Sequence, residues 1–129
     1  MRLLVDTNAV LRAVDNPELL TAVATTALRD PGNDLLLSVG SLWEIGIKVA
    51  LKKLTLSLPY RQWMERAIAD LDLQLLPITL DHADVQAGLP FHHRDPFDRL
   101  LVAQAQAERI AIVSSDAQLD RYGIARVWG

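Results

Sequence analysis

Leu3-Leu4-Val5-Asp6-Thr7-Asn8 is the stretch that decides how this chain folds. A short aliphatic run ends in a polar trio, and Ala9-Val10-Leu11-Arg12-Ala13-Val14 can continue from it as one or two helical turns. Consecutive bulky apolar residues without alternation suit a strand buried on both faces, and the segment after Asp6 suits a helix that follows at once. A buried strand feeding a helix is the opening of a βαβ unit. Asp6 then stands at the C-terminal end of the strand.

The same pattern recurs outward from this segment. Leu35-Leu36-Leu37, Leu75-Leu76-Pro77-Ile78 and Ile110-Ala111-Ile112-Val113 read as further strands, with Ala125-Arg126-Val127-Trp128 as a candidate fifth. Between them, Asn16-Pro17-Glu18 supplies a cap, an N1 proline and a first-turn acid for a helix predicted to run to about Arg29 and stop at Pro31-Gly32-Asn33. Ser38 to Leu51 reads as a helix capped by Ser38, with Lys52-Lys53 at its negative end. Ser57-Leu58-Pro59 opens another, to about Asp72. Leu80 to Leu89 is predicted helical, Phe91-His92-His93-Arg94 a loop, and Asp95-Pro96 the start of a helix through Glu108. The expected fold class is α/β, one domain over 1–129, with a short parallel sheet of about four to five strands covered by helices on both faces.

Composition agrees with that class. The chain has 129 residues, 50% hydrophobic and 22% charged, which fits one ordinary globular domain and argues against disorder. With no cysteine, it has no disulfide scaffold, thiolate metal site or cysteine nucleophile. No apolar run reaches membrane-spanning length, and Asp6 interrupts the start before a signal-peptide core could develop, so no membrane association and a cytoplasmic location are expected.

A net charge of -3 lacks the excess of Lys and Arg by which nucleic-acid binders usually announce themselves. Two divalent cations held by the acids would bring it to +1, so the placement of the acids matters more than their sum. In open α/β sheets, ligands bind outside the C-terminal strand ends where strand order reverses. That rule selects Asp6 and Ser115-Asp116, each just after an aliphatic run. Either aspartate alone would pass as a helix cap, but two carboxylates at one sheet edge need a cation or a proton.

Glu44 lies inside the apolar helix, in Ser41-Leu42-Trp43-Glu44-Ile45-Gly46-Ile47-Lys48. It could complete a capping box with Ser41 or pair with Lys48 at i,i+4; with Ser38 as the cap, Glu44 falls within the helix and the first alternative fails. In Asp95-Pro96-Phe97-Asp98, Asp95 has the position of an N-cap, whereas Asp98 lies one turn before Leu101 and Val102 at the buried start of the helix.

These motifs, in this order, resemble a PIN-domain ribonuclease, specifically a VapC-type toxin of a toxin-antitoxin pair. The resemblance runs through Leu3-Leu4-Val5-Asp6-Thr7-Asn8, Ser38-Val39-Gly40-Ser41-Leu42-Trp43-Glu44-Ile45 with Lys48, Leu89 to Arg99, and Val113-Ser114-Ser115-Asp116. It implies that Asp6, Glu44, Asp98 and Asp116 form the acidic catalytic and metal-binding set, with Asn8 and Ser115 as polar support. Ser115 stands where many relatives carry Thr, a change that keeps the hydroxyl. It further implies hydrolysis of RNA to 5′-phosphate and 3′-hydroxyl ends, a homodimer, and neutralisation by a small VapB-like antitoxin whose segment lies along or into the acidic cleft.

The chemistry suits the residues. Hard Mg²⁺ or Mn²⁺ prefers oxygen ligands, and in a two-ion arrangement one ion lowers the pKa of the attacking water while the other steadies the leaving oxygen. Lys48, Arg94 and Arg99 flank the acids and are candidate RNA phosphate contacts, although exposed arginines are commonly solvated surface. The role of His92 and His93, beside Pro90 and Phe91 in the loop, stays open, a metal ion already supplying the activated water. Trp43, Trp63 and Trp128 read as core or interface anchors. A haloacid-dehalogenase-like phosphatase needs a second acid where Asn8 stands, and a receiver domain needs a late lysine, whereas the last here is Lys53. A non-catalytic RNA- or partner-binding module with a structural acidic cluster stays open at this stage.

Overall fold

Neighbouring residues of the first strand serve different cores. In the computed structural model, which describes residues 1–129, Leu3 and Val5 of β1 (Arg2–Val5) join one apolar cluster, and Leu4 between them joins another on the opposite face. The β2 strand (Asp34–Ser38) divides likewise, Leu35 and Leu37 against Leu36. This is why the strands read as unbroken aliphatic runs: both faces are buried, so polar residues have no side to occupy.

With β3 (Gln74–Leu76), β4 (Ala111–Val113) and β5 (Arg126–Val127), they form one parallel sheet in the order β3-β2-β1-β4-β5. On one face, α1 (Thr7–Asp15), α2 (Ala22–Arg29) and α4 (Tyr60–Asp70) pack Val10, Leu28, Trp63 and Met64 onto the sheet, with Ile45 of α3 (Val39–Ala50). The other face receives Leu101, Val102 and Ala105 of α6 (Pro96–Glu108), with Val85 of α5 (Leu80–Ala87) at its margin. The expected α/β class, parallel sheet and two covered faces are all present. No helix is long and apolar enough to cross a membrane.

Several boundaries differ from the sequence reading, each for a local reason. The helix predicted from Pro17 to Arg29 is broken: Pro17–Leu19 is a 3-10 turn, Leu20 is extended, and Thr21 starts α2 by accepting from the Ala24 N–H at 3.0 Å. A threonine cap before an apolar face therefore outweighs the more conspicuous Asn-Pro signal. Pro59 caps a helix that begins at Tyr60, later than Ser57, because the Ser57 N–H and hydroxyl both donate to Asp15 instead. The first helix begins at Thr7, directly after the strand. α5 opens with a capping box in which the Thr79 hydroxyl accepts from His82 N–H and the His82 ring accepts from Thr79 N–H.

Of the tryptophans, Trp63 is fully buried and donates to Asp15 at 3.0 Å, and Trp128 packs against the same core beneath Arg12. Trp43 is 69% exposed, so the core is not its anchorage.

The sheet order also positions the functional edge. The chain leaves β1 towards β2 and β3 on one side, then returns to place β4 on the other. The reversal point is therefore the crevice beyond the C-terminal ends of β1 and β4.

Candidate metal centre

Parallel pairing of β1 with β4 brings their ends together, and the Asp6 N–H donates to the Val113 carbonyl at 3.0 Å. Ser114, wholly buried, then links the acids of the two strands. Its hydroxyl donates to Asp6 Oδ2 at 2.6 Å and accepts from the Asp116 N–H at 3.0 Å. Asp116 uses Oδ1 to cap the 3-10 helix Ala117–Tyr122 through Gln118 N–H, leaving Oδ2 turned to His93 Nε2 at 2.9 Å.

Glu44 arrives from α3, which starts immediately after β2 with the Ser38 hydroxyl accepting from Gly40 N–H. The helix start one turn before Glu44 turns it inward, where it is 7% exposed. Thr7 donates to Glu44 Oε1 at 2.7 Å, Ser41 Oγ lies 2.9 Å from the same Thr7 hydroxyl, and Lys48 donates to Oε2 at 2.9 Å. Asp98 occupies the first turn of α6, whose cap is Asp95 accepting from Phe97 N–H at 2.8 Å. His93 Nδ1 stands 3.8 Å from Asp98 Oδ2.

The electrostatics tie these groups into one cleft. Burial raises the Asp6 carboxyl above its ordinary value, the Ser114 hydrogen bond opposes this, and the charges of Glu44 and Asp116 add to it. Burial also pushes Asp98 up to about 6, reinforced by Asp95, Asp6 and Glu44 and opposed by His93. Lys48 is held protonated, first by its hydrogen bond to Glu44 and further by the charges of Glu44, Asp95 and Asp98. Carboxyls raised in this way mark a cleft where burial first, and neighbouring acids second, disfavour ionisation. Carboxylate oxygens suit a hard divalent ion, and Asp6, Glu44, Asp98 and Asp116 are the residues that could hold one. A cavity of about 540 Å³ opens among Leu20, Leu28, Asp30 and Asp72 and includes none of these acids.

The sequence profile of the PIN domain matches residues 3–125. The chain belongs to the PIN domain family. Solved structures with the same fold include VapBC2 from Rickettsia felis bound to a DNA fragment from their promoter, at 17% identity and a TM-score of 0.67 over 98% of this chain and 97% of that one. VapBC-1 from nontypeable Haemophilus influenzae gives 14% and 0.68 over 98% and 96%, and FitAcB from Neisseria gonorrhoeae 16% and 0.63 over 96% and 95%. Comparison with curated protein sequences gives no match.

Within this PIN domain, the supporting residues require correction. The hydroxyl that braces the acids belongs to Ser114; Ser115 instead accepts from Arg12 at 3.2 Å. Ser115 lies in a bend beyond β4, and which of the two serines braces the acids depends on partners distant in the chain, Asp6 for one and Arg12 for the other. Asn8 is exposed, and the polar role beside Glu44 falls to the buried Thr7. Arg99 is not available to a phosphate. It is 3% exposed and donates to the carbonyls of Gln86, Leu89 and Pro90, with Phe91 stacked 4.1 Å from its guanidinium. Lys48 does border the acids, and Arg94 is exposed on the adjoining loop. His93, whose role the sequence leaves open, stands beside two of the four acids.

Proposed function

We propose that this PIN domain is a divalent-metal-dependent endoribonuclease, hydrolysing RNA phosphodiesters as the toxin of a type II toxin-antitoxin module. The observation that carries the reading is that Asp6, Glu44, Asp98 and Asp116, from four separate elements, lie near enough for their charges to act on one another, with Asp98 pushed up to about 6 largely by burial and neighbouring acids. A merely structural acid gains nothing from that environment; a cation ligand does.

Mg²⁺ or Mn²⁺, two ions in the active complex, would supply an activated water at neutral pH and neutralise charge on the leaving oxygen. Ser114 and Thr7 hold the Asp6 and Glu44 carboxylates in fixed orientations. Lys48 secures the second oxygen of Glu44 and, with 41% of its side chain exposed, keeps positive charge at the mouth of the cleft for an RNA phosphate. Arg94, exposed on the adjoining loop, would extend that contact along the backbone. Chains of VapBC and FitAcB structures share this fold, which supports a VapB-like antitoxin as partner; a homodimer and a cytoplasmic location complete the proposal.

Incubating the purified chain with single-stranded RNA tests the proposal. Cleavage that requires Mg²⁺ or Mn²⁺, leaves 5′-phosphates and is abolished by Asp98→Asn is expected. Undiminished cleavage in EDTA, or by Asp98→Asn protein, overturns it.

A further inference from the structure

His93 lies outside the acidic motif, yet its ring sits between two of its members. Nε2 is 2.9 Å from Asp116 Oδ2, and Nδ1 is 3.8 Å from Asp98 Oδ2. A ring nitrogen and one oxygen from each aspartate all fall within 4.8 Å of one another. Despite the short approach, Nε2 is buried without a hydrogen bond, because it is not aligned on the Asp116 oxygen. An imidazolium placed to neutralise the pair would aim its N–H at a carboxylate. Two ligands at right angles on an octahedral ion, each about 2.1 Å away, stand about 3 Å apart, as Nε2 and Oδ2 do.

The loop that carries His93 is fastened from both sides. Its N–H donates to the Tyr122 hydroxyl at 2.9 Å, and that hydroxyl donates to the Pro90 carbonyl at 2.9 Å. Arg99 grips Pro90, Leu89 and Gln86 from below. The Tyr122 ring lies parallel to the imidazole, at 7° with centroids 6.4 Å apart. A histidine on an 88–95 surface segment needs no such bracing to be solvated; a ligand needs it, since orientation of the ring decides whether its lone pair meets the ion.

We propose that His93 supplies an imidazole ligand beside Asp98 and Asp116, creating a mixed nitrogen-oxygen position that favours a first-row transition ion such as Mn²⁺ or Co²⁺ over Mg²⁺. It rests on the reading of these acids as a metal centre. Imidazole adds affinity for the transition series and little for Mg²⁺, which prefers carboxylate and water. Asp6 and Glu44 lie outside this group of three and offer oxygen donors alone.

Pulsed electron paramagnetic resonance on the full chain loaded with Mn²⁺ reads the nitrogen directly. Nitrogen coupling to Mn²⁺ is expected in the wild type, altered when histidine is labelled with nitrogen-15, retained in His92→Ala and lost in His93→Ala. Calorimetric titration should show His93→Ala losing at least about tenfold in Co²⁺ affinity, the scale on which even outer partners of a ligand act, with far less change for Mg²⁺. Metal-free thermal melts verify that the variants are folded, and the isotope arm needs no variant at all. Bound Mn²⁺ without nitrogen coupling, coupling that survives His93→Ala, or equal losses for Co²⁺ and Mg²⁺ overturn the assignment. Nitrogen-ligated Mn²⁺ in a chain that cleaves no RNA would keep it and remove the nuclease reading. Metal-dependent cleavage with all-oxygen Mn²⁺ would do the reverse, and a chain that binds no metal removes both.

Discussion

Replacing Asp98 by Asn should stabilise the metal-free protein, and increasingly so as pH rises. The carboxyl is raised from 3.8 to about 6, so between these values the folded protein keeps a proton that the unfolded chain releases. Stability from this group is therefore complete below about pH 4 and lost as pH passes through about 6. Two units at about 1.4 kcal/mol each would cost about 3 kcal/mol for a fully shielded group. Asp98 keeps 32% of its side-chain exposure, and solvent screening reduces the cost to about 1–2 kcal/mol. For a chain of this length, that corresponds to a melting temperature about 4–7 °C higher for Asp98→Asn near pH 8, and to almost no difference near pH 4. Loss of the charge also relieves Asp6, which acts in the same direction. Thermal melts in EDTA across this range, followed by circular dichroism, measure the difference. Adding millimolar Mn²⁺ should reverse the order near pH 8, because the ion stabilises the folded state by mass action and the variant has lost a ligand. A difference in melting temperature that is the same at both ends of the pH range would refute the reasoning.

Three further outcomes are expected. Asp95→Asn should keep its cleavage and its stability within a few tenths of a kcal/mol, since Asn caps equally well, while the apparent pKa of Asp98 followed by NMR moves down with the loss of its neighbour's charge. Arg99→Ala should lose about 2–4 kcal/mol in urea unfolding by leaving three carbonyls without their donor, and Arg99→Lys should recover only part because an ammonium lacks the planar fork. Ser114→Ala should cost about 1.5–3 kcal/mol near neutral pH, the range for a hydrogen bond to a charged group, whereas Ser115→Ala should stay within about 0.5 kcal/mol; equal effects would return the supporting role to Ser115.

Braces and acids in this cleft have different origins. Asp6 and Asp116 each follow a strand, Asp98 lies in the first turn of α6 and Glu44 in the second turn of α3, so each position is set by where an element starts or stops. The braces are side chains that meet only after the elements pack: Thr7 with Glu44 across 37 residues, Ser114 with Asp6 across 108. Such contacts carry the orientation on which metal chemistry depends. A single substitution among them should therefore perturb the site without moving the fold.

Much of this protein was determined by sequence alone, and for a local reason. Aliphatic runs such as Leu3-Leu4-Val5 and Leu35-Leu36-Leu37 specify strands buried on both faces, because no polar residue interrupts either side. Acids placed just beyond such runs, or one turn into a helix, announce the functional edge through the same short-range pattern. Helix starts were legible only where one signal stood alone, as at Ser38 and Asp95; where Asn16, Pro17 and Thr21 competed, packing chose Thr21. Tertiary structure alone decided what the nearby polar residues do. Arg99 reads like any helix arginine until three carbonyls of the preceding segment close over it, and Ser114 and Ser115 are alike until β5 continues the strand pairing through the Ser114 N–H to Val127. His93 is a loop residue in sequence and a neighbour of Asp116 only because Tyr122 and Arg99 fold that loop back. Burial and hydrogen bonding depend on partners distant in the chain, and no local period encodes them.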